Sequence, residues 1–168
     1  NLNIKNAIDL GAGCGVVGIE FFLSYPFLKS IQFVEKQEKF SSFLHENCSS
    51  FLQDKADYKI IIDEIENFSI QDIDLILVNP PYFLEETHRV SPHPEKALCR
   101  SISLVALKAI FESIFSLMNA KSYFIFSSPK SWENLLAQDI KRKGIKIIKT
   151  REELGRLFWI MKLDVDRH

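Results

Sequence analysis

The sequence predicts an α/β fold built on a mostly parallel sheet, and three observations carry that expectation. Short apolar, β-rich runs alternate with stretches of helical periodicity, the pattern of repeated strand–helix units. A glycine-rich loop, Gly11-Ala12-Gly13-Cys14-Gly15, follows the first apolar run and opens into a helical stretch. A nearly unbroken apolar run, Ile73-Asp74-Leu75-Ile76-Leu77-Val78, reads as a strand buried on both faces, as parallel strands usually are.

Taken in order, strands are expected near Ala7–Leu10, Ile31–Glu35, Lys59–Ile62, Asp74–Asn79, Ser122–Ser127, Ile145–Lys149 and Leu157–Leu163, with helices between most of them. After Glu35, the residues Phe40, Phe43, Leu44, Cys48, Phe51 and Leu52 recur at helical spacing as one apolar stripe, which places Cys48 in the core. The longest helix is expected over about Ser101–Asn119, apolar on most sides and packed under the sheet.

At 168 residues the chain has the length of one domain, and 46% hydrophobic residues, with 14 Phe, suffice for a substantial core. It begins at Asn1, a few residues before the first strand, so residues 1–168 are expected to be one domain of a protein with a further amino-terminal segment. No apolar stretch approaches the ~18 residues of a membrane span, and the amino terminus lacks the basic-then-apolar pattern of a signal peptide. A cytoplasmic protein with no membrane partner is expected. Cys14, Cys48 and Cys99 are odd in number and lack metal-ligand spacing, so reduced thiols and no metal are expected.

Charge is unevenly spread: residues 1–79 hold 6 basic and 12 acidic groups, and residues 80–168 hold 15 and 10. The cluster Lys141, Arg142, Lys143, Lys146, Lys149 and Arg151 suits either a phosphate backbone or a solvated helix end.

Spacing within the glycine loop discriminates between ligands. Glycines permit a tight turn and let backbone N–H groups approach a ligand. A dinucleotide fingerprint, G-x-G-x-x-G, would need glycine at position 16, which is Val16, whereas Gly11, Gly13 and Gly15 make G-x-G-x-G. That favours a ligand without a pyrophosphate, and Asp9 ahead of the loop would repel phosphate and attract a cation. The second strand ends in Glu35, about 20 residues on, where an acidic group can take both hydroxyls of a ribose. Glu38 is the alternative, and Lys36 lies beside them. At the third strand's end Asp63 could accept from an adenine amino group, with Glu64 or Glu66 as alternatives and Ile65 or Phe68 covering the ring. Carboxylates closing three successive strands describe a site for an adenosine attached to something positive, and S-adenosylmethionine fits that description. Asp9, Gly11, Ala12, Gly13, Gly15, Glu35, Lys36, Asp63, Glu64 and Asn79 are the cofactor-binding candidates.

Asn79-Pro80-Pro81-Tyr82 follows the fourth strand. It suits methylation of a planar, conjugated nitrogen, such as the exocyclic amine of adenine or a glutamine amide. Such a nitrogen is a poor nucleophile, because its lone pair is delocalised. The Asn79 side-chain oxygen and the Pro80 carbonyl can accept its two N–H bonds and aim it at a methyl donor. Consecutive prolines lack N–H groups, have fixed φ, and bias their predecessors toward extended geometry, so these acceptors are preorganised. Tyr82 and Phe83 offer ring faces on which a planar substrate can stack, worth roughly 1–3 kcal/mol per base in nucleic-acid binders. The plainer reading of Asn-Pro-Pro is a surface turn.

Together these residues resemble the class I S-adenosylmethionine-dependent methyltransferases over nearly the whole chain. Asp9, Gly11, Gly13 and Gly15 match that family's first motif, Glu35 its acidic second-strand position, Asp63 its third-strand position, and Asn79, Pro80, Pro81 and Tyr82 its catalytic motif. The resemblance implies a three-layer Rossmann-like fold with a seven-stranded sheet whose final strand runs antiparallel. Glu95-Lys96-Ala97-Leu98-Cys99-Arg100 further resembles the small-domain bacterial tRNA adenine-N6 methyltransferases, which implies an RNA substrate, tRNA first, with Arg100 at it or anchoring the loop. That subfamily continues Arg-His-Glu, whereas here Arg100 is followed by Ser101-Ile102. His88, His93, Arg89 and Lys96 read as solvated loop residues, with Arg89 and Lys96 also able to meet RNA phosphates. Glutamine-amide methylation of a release factor, methylation of ribosomal-RNA guanine or DNA adenine, and a non-catalytic RNA-binding relative are the competing readings.

Overall fold

The structure, a computed structural model, describes residues 3–53, 55–64, 72–89, 91–93, 97 and 99–164. Strands β1 (Asn6–Leu10), β2 (Ser30–Glu35), β3 (Asp57–Ile62), β4 (Leu75–Val78), β7 (Tyr123–Pro129), β8 (Ile145–Glu153) and β9 (Arg156–Leu163) form one seven-stranded sheet in the order β3-β2-β1-β4-β7-β9-β8. A small parallel pair, β5 (Phe83–Leu84) with β6 (Ser101–Ile102), stands apart from it. All pairings from β3 to β7 are parallel, and β9 runs antiparallel to both its neighbours. Chain order reverses direction across the sheet at β1 and β4, and an open α/β sheet binds ligands beyond the carboxyl ends of its strands at such a point.

Side-chain alternation builds the three layers. Ala7, Ile31, Phe33, Leu75 and Leu77 pack with helices α1 (Val16–Ser24) and α2 (Ser41–Leu52) on one face. Ile8, Leu10, Ile76, Val78, Phe124 and Phe126 pack with α3 (Leu104–Leu117) and α4 (Glu133–Arg142) on the other. The phenylalanines concentrate there: Phe111 lies 4.9 Å from Phe126 and 5.9 Å from Phe124, ring to ring. The expected fold class is thereby observed.

Several expected boundaries move. Ser101 and Ile102 do not begin the long helix. They pair with Phe83 and Leu84, and the helix starts after Ser103, whose hydroxyl accepts from the Ala106 N–H. That helix buries one face, Leu107, Phe111, Ile114 and Leu117, while Val105 is exposed. In α2 the stripe narrows to Leu44, Cys48 and Leu52, leaving Phe43 58% and Phe51 49% exposed. β8 extends to Glu153 because a two-residue turn, Leu154 at φ 50 and Gly155 at φ 74, keeps it paired to β9 up to Glu153 opposite Arg156.

Candidate active site

The carboxyl ends of β1, β2 and β4 are brought level by the register, with Leu10 paired to both Val34 and Val78. The glycine loop lies directly beyond them. Gly11, Gly13 and Gly15 all have positive φ, at 71, 57 and 84°, a conformation that glycine adopts without steric cost. A Cβ at Gly11 or Gly13 would meet nothing within 4 Å, whereas one at Gly15 would stand 2.7 Å from Leu44 Cδ1. The loop's outer side is open space and its inner side is packed.

The loop's N–H groups are not aimed outward as expected. Gly11 and Ala12 donate to the Val34 carbonyl at 2.8 and 3.0 Å, Gly13 to Glu35 Oε2 at 2.8 Å, and Gly15 to the Ala12 carbonyl at 2.8 Å. β2 thus holds the loop, and the glycines supply conformation and room rather than donors.

Glu35 is buried, with Oε2 on Gly13 and Oε1 accepting from the Gln37 N–H at 2.8 Å. Each carboxylate oxygen keeps a second lone pair, so this clamp leaves acceptor capacity for a diol. Lys36 and Glu38 beside it are exposed. Asp63, also exposed, lies just beyond β3 and accepts from the Glu64 N–H. Ile65, Glu66, Phe68 and Lys96 lie outside the described residues.

Asp9, expected to attract a cation, is buried with Oδ2 accepting from the Gly18 N–H at 2.8 Å. Burial pushes its carboxyl up to about 7, the Gly18 N–H opposes this, and the Glu35 charge adds to it. Gly18 is a site residue that sequence reasoning missed: a Cβ there would fall 2.5 Å from Phe33 Cε1 and 2.9 Å from Asp9 Oδ2. Cys48 is inert, its buried thiol pushed up to about 11 with Asp9 contributing.

Asn79 stands exposed just past β4, with Pro80 buried and Tyr82 half-buried. β4 and β7 pair Val78 with Phe126, which brings Asn79 level with Ser127. The Asn79 side-chain oxygen accepts from Ser127 Oγ at 2.5 Å and also from the Tyr82 hydroxyl, and the two hydroxyls are 3.1 Å apart. A cavity of about 210 Å³ opens beside this triad, lined also by Val17, Ile125 and Phe158. Arg156 completes the lining, its guanidinium carbon 4.6 Å from the Tyr82 ring centroid. Ser127 and Arg156 were not legible as site residues, since only strand register places them here.

Phe83 is 41% exposed and meets His88 edge-on at 5.0 Å. Arg100, His93 and Arg89 are exposed. Glu86 folds the loop back by accepting from the Leu104 N–H at 2.8 Å. The basic cluster divides: Lys143 pairs with Glu112, Arg142 with Asp139 and Arg151 with Glu153, while Lys146 and Lys149 are exposed along β8. No helix among the described residues is long and apolar enough to cross a membrane, and no metal-binding cluster occurs among them.

Known proteins share this architecture. Ribosomal protein L11 methylase from Lactobacillus delbrueckii subsp. bulgaricus superposes with a TM-score of 0.69 at 15% identity, over 94% of this chain and 69% of its own. The hMettl16 catalytic domain, solved in complex with the MAT2A 3′UTR hairpin 1, gives 0.69 at 14% identity, over 97% of this chain and 65% of its own. TrmN from Thermus thermophilus gives 0.64 at 16%, over 95% of this chain and 44% of its own. At such identities the likeness is one of fold. No curated protein matches the sequence. A solved neighbour at 11% identity, an MtNAS mutant with a TM-score of 0.64, contains S-adenosylmethionine. The residues here fit that group: open space over Gly11 and Gly13, a buried Glu35 at the second strand's end, and carboxylates Asp9 and Asp63 at the ends of the first and third strands. The methyltransferase small domain profile matches residues 1–94, more than half of the chain, and the protein belongs to that family of S-adenosylmethionine-dependent methyltransferases.

Proposed function

We propose that this domain methylates the exocyclic amine of a nucleobase, adenine N6 in tRNA first among them. The observation that carries the reading is Asn79-Pro80-Pro81-Tyr82 at the end of β4, with Asn79 and Tyr82 both lining the cavity. In this reading Glu35 holds the cofactor's ribose, Asp63 or Glu64 its adenine, and the open side of Gly11–Gly15 its remaining length, with Lys36 at the rim. When bound, S-adenosylmethionine supplies an electrophilic methyl group, and its sulfur takes back the electron pair of the broken S–C bond.

The chain's own groups prepare the acceptor. The amine donates one N–H to Asn79 Oδ1 and the other to the Pro80 carbonyl, which draws the nitrogen toward tetrahedral geometry and frees its lone pair to form the C–N bond. Asn79 Oδ1 already receives two hydroxyls, so the incoming N–H displaces one. Tyr82 is the one free to leave, because its ring is half-buried whereas Ser127 is buried on β7. No base is needed beforehand, since the amine becomes acidic only on alkylation, and its proton then passes to water. Tyr82 and Phe83 stack the base. A single-stranded loop nucleotide suits this site, because extruding a paired base costs a few kcal/mol.

The test is transfer of labelled methyl by the full-length protein into separate pools of unmodified tRNA, ribosomal RNA, DNA and release factor, with nucleoside and peptide mass analysis. N6-methyladenosine in tRNA is the expected product. Label in the release factor with blank nucleic acids would overturn the reading in favour of glutamine-amide methylation.

A further inference from the structure

We infer that Arg156 is a substrate-recognition residue that binds a backbone phosphate next to the nucleotide being methylated. The inference rests on the nucleobase reading above and deepens it. Among the described residues Arg156 is the only charged one lining the cavity; the rest of that lining is aliphatic, aromatic, hydroxyl or carboxamide.

The guanidinium has no acidic partner among the described residues. In register Arg156 faces Glu153 across the hairpin, yet Glu153 pairs with Arg151 at 3.3 Å, and no ion pair among the described residues involves Arg156. It stacks on the Tyr82 ring, with the guanidinium carbon 4.6 Å from the centroid. That stacking uses a π face and leaves the five N–H donors in the guanidinium plane for another acceptor. The backbone that carries it is fixed: Arg156 opens β9 opposite Pro129, directly after the Leu154–Gly155 turn, whose Gly155 carbonyl accepts from the Lys130 N–H at 3.0 Å.

An exposed guanidinium with no ion pair among the described residues, lining a cavity with no other charged residue among them, offers a site for an anion. The cofactor's sulfonium would be repelled by it and a neutral glutamine amide would leave it unmatched; the cofactor's own carboxylate is the competing anion, and S-adenosylhomocysteine, which carries that carboxylate, would bind Arg156→Gln more weakly if the guanidinium held it. A phosphodiester matches it in charge and in planar, two-point geometry. Because Arg156 rests on the ring proposed to stack the base, its reach lies within one nucleotide of the target, where a phosphate contact fixes register without reading sequence.

The test compares the full-length wild type with Arg156→Gln and Arg156→Lys in methylation of an unmodified tRNA pool at several salt concentrations. Arg156→Gln is expected to raise KM about tenfold, as for loss of one charged hydrogen-bonding contact. It should also flatten the slope of log(kcat/KM) against log salt by roughly 0.7–1. Arg156→Lys should recover the slope and only part of KM. The thermal shift given by S-adenosylhomocysteine reports that each variant folds. A wild-type KM and salt slope in Arg156→Gln would overturn the inference while leaving the nucleobase reading standing. Wild-type methylation of protein alone would overturn both.

Discussion

Asn79 and Ser127, 48 residues apart in sequence, share a 2.5 Å hydrogen bond in which the Ser127 hydroxyl donates to the Asn79 side-chain oxygen. Ser127 is buried on β7 and Asn79 is exposed beyond β4, so a fixed strand orients a carboxamide that would otherwise rotate. It follows that Ser127→Ala should lower kcat by about tenfold, the scale of one hydrogen bond to a positioned group, with KM little changed. Ser127→Thr, which retains the hydroxyl, should recover most of it. Combined with Asn79→Ala, the serine change should cost nothing further; additive losses would show that Ser127 acts elsewhere.

Glu35 clamps the loop and is proposed to hold the ribose, so both functions are removed together in Glu35→Ala. Cofactor affinity should fall by at least tenfold, since the Gly13 and Gln37 N–H groups lose their acceptor along with the diol. Isothermal titration with S-adenosylhomocysteine measures it. An unaltered dissociation constant would transfer the ribose role to Glu38.

The candidate site is legible in the sequence where its groups lie at strand ends. Asp9, Glu35 and Asp63 each follow an apolar run, and the Asn-Pro-Pro-Tyr segment follows the most apolar one, so one-dimensional pattern and three-dimensional position coincide. The partners Ser127 and Arg156 escaped notice because strand register alone makes them neighbours of Asn79 and Tyr82. The direction of loop N–H groups was unreadable for the same reason, since the Val34 carbonyl that takes two of them lies on another strand. Helical spacing overstated α2's buried stripe: periodicity marks Phe43 and Phe51 as near the core-facing side, whereas the sheet beneath admits only Leu44, Cys48 and Leu52.

Gly18 should tolerate no side chain. The Cβ of Gly18→Ala would come within 2.5 Å of Phe33 Cε1 and 2.9 Å of Asp9 Oδ2, an overpacking that typically costs about 1–3 kcal/mol. Thermal unfolding of the variant should show a melting temperature several degrees lower, by the usual scaling for a domain of this size. An unchanged melting temperature would mean that α1 shifts freely on the sheet.

The pH dependence of stability follows from Asp9. Its folded-state value is about 7 against 3.8 for the ordinary carboxyl, so the folded protein keeps the proton longer than the unfolded chain does. Below about pH 4 both states are protonated and no stability is lost. Between about 4 and 7 stability should decline, by at most about 1.4 kcal/mol per pH unit, and above 7 this contribution should be level. Asp9→Asn, which retains an oxygen for the Gly18 N–H, should remove that decline. Urea midpoints for both proteins from pH 4 to 8 measure it, and parallel curves would contradict the assignment.

The most direct test of the central claim, that Asn79 orients the methyl acceptor, is single-turnover methyl transfer by full-length wild type and Asn79→Ala at saturating cofactor. Cofactor affinity is measured alongside. The account predicts a rate lower by orders of magnitude in the variant, with a nearly unchanged dissociation constant. Equal rates, or a loss that disappears once the cofactor site is filled, would contradict it.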